Sequence, residues 1–264
     1  MPLPETLPET PQVQTPESTT EAPSDVDAIT QEKRNNALLS IIDETALTPE
    51  ELSALFLQVR GQFQRANSPE EIQHLYERTL AQFPIRYRFS TQDYAQQGVP
   101  DILQRRLWFE QVIPQGNVID VGCADGYFAL ELASPIRKMT GVDMLEKRVA
   151  KANRVAEENR TNATFIKGFA EEIPFTDETF DAAILSHMLE HVHDPARVLE
   201  EVVRVTKTGG KLIAVVPHEI GRDPTHIRYI PSTQLRDMLA EYGEVSPEYI
   251  VGTKGIGYVI KIKI

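Results

Sequence analysis

The sequence predicts an α/β protein built around a doubly wound, mostly parallel sheet of seven strands that ends in an antiparallel hairpin. From residue 117 onward, short apolar runs alternate with stretches of helical periodicity, which is typical of parallel strands joined by helices. The first apolar run ends in an acid and a glycine-punctuated turn that opens a helix. The last two runs are joined by a short glycine-rich turn, which predicts the hairpin.

The individual elements are predicted from their local patterns. The seven predicted strands are 117–121, 138–142, 163–168, 180–186, 211–217, 245–251 and 258–264. The predicted helices in this region are 100–112, 127–133, 146–160, a helix from Asp194 to Gly209-Gly210, and 232–242. Helix 146–160 has its apolar residues at helical spacing, so its many charges form a solvated face. Asp194 and Pro195 form a favourable helix start, because aspartate caps the first turn and proline fits within it.

The turn after the first strand is the most informative stretch of the chain. Gly122 and Gly126 allow tight backbone bending where a ligand must approach closely. A dinucleotide fingerprint needs glycines in the spacing G-x-G-x-x-G. Aligned at Gly122, the chain has Ala124 and Tyr127 at the second and third positions. The spacing therefore argues against NAD.

The run Asp120-x-Gly122-x-Ala124-x-Gly126 resembles the D-x-G-x-G-x-G turn of class I S-adenosylmethionine-dependent methyltransferases, with alanine in place of the middle glycine. The phrase over residues 189–210 resembles the small-molecule branch of that family, the ubiquinone and menaquinone methyltransferases. The resemblance covers about residues 100–264. It implies a Rossmann-like sheet with a C-terminal hairpin, and S-adenosylmethionine as the cofactor.

The resemblance also implies which residues hold the cofactor. Asp143 ends the second strand, where an acid can accept hydrogen bonds from both ribose hydroxyls. Residues 168–175 resemble the family's G-x-A-E-x-x-P-F loop beside the adenine. Phe169 stands where an aspartate is frequent, so the adenine contact falls to the Ala170 amide, while Glu171 is either a ligand or a plain surface acid. The expected cofactor residues are Asp120, Gly122, Cys123, Ala124, Gly126, Asp143, Met144, Phe169, Ala170, Glu171 and Ser186.

The candidate catalytic residues are histidines. The cofactor's sulfonium makes its methyl carbon electrophilic, so in-line displacement needs mainly a positioned nucleophile, and an oxygen acceptor also needs a base. Five of the six histidines fall between residues 187 and 226, after strands four and five, and the histidine pKa suits proton removal near neutral pH. His187 is our first choice for the base. His191 is either a base or a residue that orients the loop, and His226 follows strand five on the acceptor side.

The density of histidine and acidic residues also permits a divalent metal that holds a catechol or a sugar diol. No H-E-x-x-H or paired-cysteine spacing is present. We therefore prefer the interpretation that these histidines and acids are loop residues with hydrogen-bond partners within the protein, and we predict no metal site.

Composition sets the domain organisation. The chain has 264 residues and a formal net charge of −12, and half of that charge comes from six acids in residues 1–30, which lack lysine and arginine. This segment is predicted to be a disordered acidic tail. We predict a helical extension over 31–85 and the methyltransferase domain over 86–264. The single Cys123, the missing signal-peptide pattern and the lack of about 18 consecutive apolar residues predict a cytoplasmic protein without a membrane span.

The helical extension contains three predicted amphipathic helices, one over 30–45 and two that start at Thr48 and Ser68. They can cap the acceptor pocket, form a homodimer face or make an independent bundle. The sequence leaves these three roles open.

Charge and motif also bear on the acceptor. The acidic balance disfavours nucleic acid, although Arg86, Arg88, Arg105 and Arg106 form either a local basic patch or a salt-bridged face. No N-P-P-Y-like tetrapeptide follows strand four, which disfavours methylation of DNA bases or protein amides. We predict methyl transfer to a small-molecule acceptor, most favourably a metabolite or sugar hydroxyl. The alternatives are a methyltransferase acting on RNA or protein, and a noncatalytic cofactor-binding scaffold.

Overall fold

Two N-terminal helices begin at strong capping residues. Helix α1 spans Pro49–Arg65, and its N-cap Thr48 forms a capping box with Glu51: the Glu51 amide donates to Thr48 Oγ1 and the Thr48 amide donates to the Glu51 carboxylate. Helix α2 spans Pro69–Gln82, and its N-cap Ser68 accepts a hydrogen bond from the Glu71 amide. Both helices start where the sequence predicts.

The computed structural model describes residues 46–83, 100–219, 223–252 and 255–263. The predicted acidic tail, the predicted helix over 30–45, and Arg86 and Arg88 lie outside the described residues. The remaining helices are α3 Pro100–Val112, α4 Tyr127–Leu132, α5 Glu146–Asn159, α6 Pro195–Val205 and α7 Ser232–Ala240. The strands are β1 Gly116–Val121, β2 Arg137–Asp143, β3 Ala163–Lys167, β4 Phe180–Ser186, β5 Thr206–Pro217, β6 Gly243–Val245, β7 Tyr249–Val251 and β8 Gly255–Ile262.

The strands form one mixed sheet in the order β3-β2-β1-β4-β5-β8-β6, with β7 also paired to β8. Strands β1 to β5 are parallel, and β8 runs antiparallel to β5, β6 and β7. The chain winds outward from β1 to β3, then returns to place β4 on the other side of β1. This reversal confirms the doubly wound prediction and creates a crevice at the carboxyl ends of β1 and β4, where open α/β sheets bind ligands.

The C-terminal region differs from the prediction in the number of strands. The predicted strand 245–251 forms two short strands, β6 and β7, so the described sheet has eight strands rather than seven. Pro247 lies between them, and proline has no backbone N–H to donate to a strand partner. Both short strands pair with β8, which preserves the predicted antiparallel ending.

Helix α6 ends earlier than the glycine pair predicts. It stops at Val205, and strand β5 already begins at Thr206. The Thr206 backbone is extended, and its hydroxyl donates to the Val202 carbonyl at 2.6 Å. This bond satisfies one of the free carbonyls at the end of the helix and so stabilises the termination there. Gly209 and Gly210 instead lie within the first part of β5.

The core occupies both faces of the sheet. Ile119 and Val121 belong to one buried cluster and Val118 to the other, because successive strand residues point to opposite faces. Helices α6 and α7 cover the first face, while α4 and α5 cover the second. None of the helices in the described ranges has the length and apolar character that crossing a membrane requires.

Candidate cofactor and acceptor site

A cavity of about 250 Å³ lies at the carboxyl ends of β1, β2 and β4. It brings together most of the residues that the sequence selects. Those in its lining are Asp120, Gly122, Cys123, Ala124, Asp143, Met144, Phe169, Ala170, Glu171, Ser186, His187 and His191. Gly126 and His226 do not belong to the lining.

Asp143 organises the turn that follows β1. Its Oδ2 accepts a hydrogen bond of 2.9 Å from the Ala124 amide, and its Oδ1 accepts one of 2.9 Å from the Leu145 amide. Each carboxylate oxygen retains a lone pair for a further donor. Burial raises the pKa of Asp143, while Arg148 and the two amides partly oppose that effect.

The sequence analysis explains the two glycines of the turn by the approach of a ligand, whereas in the structure protein side chains also lie close to both. Both have positive φ angles, 75° at Gly122 and 80° at Gly126, a conformation that favours glycine. A Cβ at Gly126 would lie 2.6 Å from the Phe165 ring, and one at Gly122 would lie 2.4 Å from the Met188 side chain. Close packing of protein atoms therefore requires both glycines, in addition to the backbone conformation.

Asp120 is a buried acid in the cavity lining. It is 2% exposed, and its Oδ2 makes no hydrogen bond to any described residue. Burial, together with the negative charge of Asp143, raises the pKa of Asp120 to about 7. An unpaired acid in such a place is suited to a cationic group, because a nearby positive charge offsets the cost of burying the carboxylate.

The donor set of the cavity therefore fits S-adenosylmethionine. Asp120 can face the cationic amino acid portion of the cofactor, and Asp143 can accept hydrogen bonds from its ribose. Phe169 and Ala170 supply an apolar surface and a backbone amide for an adenine ring. Burial raises the pKa of the Cys123 thiol well above its usual value, which disfavours the reactive thiolate form.

His187 follows β4 directly and has a left-handed backbone, with φ at 53°. Its Nδ1 lies 3.4 Å from Oε1 of Glu190, a fully buried residue that the sequence analysis did not select. Burial, followed by the nearby Arg105 charge, lowers the pKa of His187. The spacing of an acid three residues after a histidine is a weak sequence signal for this pair.

His191 is held by a polar network. Its Nδ1 lies 3.0 Å from the Thr225 carbonyl oxygen and 2.8 Å from the Tyr76 hydroxyl. Its ring packs edge-on against the His226 ring, with centroids 4.7 Å apart. Burial lowers the pKa of His191. Among the candidate catalytic histidines, His187 and His191 thus line the cavity. His226 is outside the lining and contacts the His191 ring.

The N-terminal helices pack against the part of the site that contains His191. Pro69, Ile72 and Tyr76 of α2 line the cavity. Arg60 and Gln64 of α1 donate hydrogen bonds to the backbone carbonyls of Asp223 and Ile227. The sequence leaves three roles open for these helices: a cap on the acceptor pocket, a homodimer face or an independent bundle. The contacts favour the cap. The sequence gives no signal for Tyr76, because its partners lie 115 and 149 residues away.

Arg105 points into the protein. It is 7% exposed, pairs with Asp101 and donates a hydrogen bond of 3.3 Å to Ser186 Oγ. Of the two interpretations left open for the arginine group, the salt-bridged arrangement applies to Arg105.

Comparison with known proteins agrees with this geometry. Residues 119–214 match the family model described as "Methyltransferase domain". The chain is 31% identical over 128 residues to a demethylmenaquinone methyltransferase of Shouchella clausii, covering 45% of this chain and 54% of that protein. It is 34% identical over 104 residues to a ubiquinone biosynthesis O-methyltransferase of Coxiella burnetii, covering 39% and 44%. The chain thus spans about half the length of the curated relatives it matches.

A solved S-adenosylmethionine-dependent methyltransferase from Aquifex aeolicus has the same fold, with a TM-score of 0.54 at 21% identity, over 66% of this chain and 99% of that one. The sheet order, the glycine turn with its two buried acids and the domain match lead to one conclusion. Residues 119–214 form a methyltransferase domain that is similar in sequence to S-adenosylmethionine-dependent methyltransferases.

Proposed function

We propose that this protein transfers a methyl group from S-adenosylmethionine to an oxygen atom of a small organic acceptor, with His187 as the proton acceptor. One observation carries the proposal: a single cavity joins two buried acids at the ends of β1 and β2 to two histidines after β4. The acids suit the cofactor, and the histidines suit a hydroxyl that must lose a proton.

The cofactor half of the cavity assigns a task to each acid. Asp143 would hold the ribose hydroxyls, since its carboxylate is already fixed by the amides of Ala124 and Leu145. Asp120 would pair with the ammonium group of the methionine portion. Phe169 and Ala170 would contact the adenine ring. Such fixed donors and acceptors place the reacting atoms without further reorganisation.

The bound cofactor supplies an electrophilic methyl carbon, and the chain's own residues supply orientation, water exclusion and proton removal. His187 lines the cavity, and its buried Nε2 atom makes no hydrogen bond to a described residue; in this proposal Nε2 takes the proton of an acceptor hydroxyl. On the other side of the ring, Nδ1 faces the Glu190 carboxylate at 3.4 Å. That carboxylate would stabilise the imidazolium formed when the proton arrives.

A small acceptor is supported by the cover of the site. Ile72 and Tyr76 of α2 line the cavity together with the two histidines, so an acceptor that reaches the histidines must fit beside this helix. Two relatives are named as quinone-pathway methyltransferases, one of them an O-methyltransferase. Arg105 faces inward, so it adds no support to a nucleic-acid acceptor.

Calorimetry tests the cofactor part first. The purified full chain is titrated with S-adenosylmethionine, with its demethylated product S-adenosylhomocysteine and with NAD. We expect micromolar binding of the first two and no binding of NAD. Failure of both sulfur compounds to bind would contradict the proposal and favour the scaffold alternative.

An acceptor screen tests the transfer itself. The chain and methyl-labelled cofactor are incubated with hydroxylated quinols, catechols and sugars, and products are analysed by mass spectrometry. A labelled methyl ether supports the proposal. Label on carbon or nitrogen would contradict the oxygen assignment, and label only on added RNA or protein would contradict the small acceptor.

A further inference from the structure

Glu190, His191 and His226 form a compact group behind the acceptor side of the cavity. One ligand atom from each residue lies within 4.8 Å of the others. Glu190 follows β4, and His226 comes from the segment between β5 and α7. The fold therefore brings two imidazoles and a carboxylate together from two loops.

The environment of the Glu190 carboxylate favours a bound cation. It is 0% exposed, and neither carboxylate oxygen makes a hydrogen bond to a described residue. The imidazoles of His187 and His191 approach Oε1 at 3.4 and 4.0 Å, which exceeds a normal hydrogen bond. A carboxylate buried this deeply needs a positive charge beside it, which either a protonated imidazole or a metal ion can supply.

His191 is oriented in the manner of a metal-binding imidazole. Since a carbonyl oxygen can only accept, the 3.0 Å contact between Nδ1 and the Thr225 carbonyl places the ring proton on Nδ1. The Tyr76 hydroxyl donates to Thr225 Oγ1, which in turn donates to Asp223, so the Tyr76 oxygen is free to accept from the same Nδ1. The Nε2 lone pair then faces Glu190. A ligating histidine usually donates its other N–H to a carbonyl or carboxylate in this way.

We propose that Glu190, His191 and His226 bind one divalent transition-metal ion. Two imidazoles and one carboxylate suit Zn²⁺, Fe²⁺ or Mn²⁺ better than Mg²⁺ or Ca²⁺, which prefer oxygen ligands. Ligand bonds of about 2.0–2.2 Å require neighbouring ligand atoms about 3.3 Å apart. The 4.0 Å between His191 Nε2 and Glu190 Oε1 closes to that value with a small side-chain movement.

The ion would lie next to the cavity on the side of His191, which is the member of the group that belongs to the lining. Three protein ligands leave coordination positions open for water or an acceptor oxygen. A bound ion would replace His187 as the partner of Glu190 Oε1, so metal binding and the Glu190–His187 pairing are alternatives. Metal binding itself can be tested without methyl transfer.

Metal titration tests the site. Tag-free full chain is stripped with a chelator, dialysed and titrated with Zn²⁺ by calorimetry, with Mg²⁺ in parallel. We expect one Zn²⁺ per chain and at least hundred-fold weaker Mg²⁺ binding. Glu190→Gln and His226→Ala should each weaken Zn²⁺ binding at least tenfold. His193→Ala is the matched control, because His193 is exposed and lies outside the group, and it should leave the affinity unchanged.

Cobalt substitution reports the ligands directly. A stripped chain loaded with Co²⁺ should show visible absorption bands of a low-coordinate site, and His226→Ala should alter their position and intensity. Circular dichroism of each variant establishes that it is folded; if Glu190→Gln does not fold, His226→Ala still decides the question. Absence of stoichiometric Zn²⁺ binding, or identical binding by the native chain and His226→Ala, would overturn the proposal.

Discussion

Asp143 holds Ala124 across 19 residues of chain: the carboxylate oxygen Oδ2 accepts a hydrogen bond of 2.9 Å from the Ala124 backbone N–H. The acid that ends β2 thereby fixes the turn that ends β1. Both residues line the cavity, so the same carboxylate that would bind the ribose also shapes the turn beside it. Folding stability and cofactor affinity are therefore linked at this residue.

Asp143→Asn should weaken both properties. The asparagine amide nitrogen can only donate, so one of the two backbone N–H groups loses its acceptor, at a cost of about 1–3 kcal/mol in the free energy of unfolding. Binding of S-adenosylmethionine should weaken at least tenfold. Urea unfolding and calorimetry measure the two effects.

Asp181→Asn is the control for Asp143→Asn. Asp181 accepts a hydrogen bond from the Asn117 amide and pairs with Lys207 at the amino end of β4, away from the cavity. The control should lose stability and keep its cofactor affinity. Native cofactor affinity in Asp143→Asn would show that this acid is not the ribose ligand.

Ala124→Gly should stabilise the protein slightly. Ala124 has φ at 51°, and an L-residue in the left-handed region costs roughly 1–2 kcal/mol. Glycine removes that strain, but it also lowers the free energy of unfolding by about 0.4–1 kcal/mol because the unfolded chain gains conformational freedom. We expect a net gain of about 0.5 kcal/mol in urea unfolding, with cofactor affinity retained.

Arg160→Gly is the matched control for Ala124→Gly. Arg160 has φ at 52° at the end of α5 and is exposed. The control should gain similar stability without any change at the site. If Ala124→Gly instead loses more than about 1 kcal/mol, the methyl group contributes packing that outweighs the backbone strain.

The sequence predicts those parts of this fold that depend on local pattern. The strand 180–186 is found at β4, and the helix 146–160 is found at α5 within one residue. The helix starts at Thr48 and Ser68 are likewise observed. Strand alternation, helical spacing and capping are set by neighbouring residues, so a single sequence contains the necessary information.

Features that depend on distant contacts could not be predicted. Tyr76 meets His191 across 115 residues, and no local pattern marks it as part of the cavity. Nothing in the sequence around Glu190 indicates that this acid is buried. It becomes fully buried through the packing of the surrounding elements.

Asp120 should make the unliganded protein less stable as the pH rises. Its folded pKa of about 7 lies above the ordinary value of 3.8, so the folded state holds the proton more tightly than the unfolded state. The resulting stability is fully present below about pH 4 and is lost as the pH rises through about 7, with a slope of at most about 1.4 kcal/mol per pH unit. Urea unfolding of the cofactor-free chain between pH 5 and 8 measures this slope.

Asp120→Asn should make the free energy of unfolding less dependent on pH between pH 5 and 8. At pH 8 this variant should be more stable than the native chain. It should also bind S-adenosylmethionine at least tenfold more weakly, because the cationic portion of the cofactor loses its partner. Equal slopes in the two proteins would show that Asp120 titrates near its ordinary value.

His187→Asn should lower the turnover number of methyl transfer by about 10²–10⁴, the usual contribution of a general base. Asparagine tolerates the left-handed backbone found at His187, so the change removes the imidazole without new strain. Cofactor affinity should stay within about threefold of the native value. Turnover is measured with an acceptor identified in the screen, and full turnover in His187→Asn would remove this residue from the role of base.

Tyr76→Phe should weaken acceptor binding without changing cofactor binding. The buried Tyr76 hydroxyl contacts His191 Nδ1 and donates to Thr225 Oγ1, so its removal should cost about 1–2 kcal/mol in the free energy of unfolding. We expect a higher acceptor KM with unchanged cofactor affinity, because α2 covers the acceptor end of the cavity. Tyr229→Phe is the control, since the Tyr229 hydroxyl donates to the His218 carbonyl on the exposed surface. A native acceptor KM in Tyr76→Phe would indicate that this hydroxyl stabilises the fold without shaping the acceptor site.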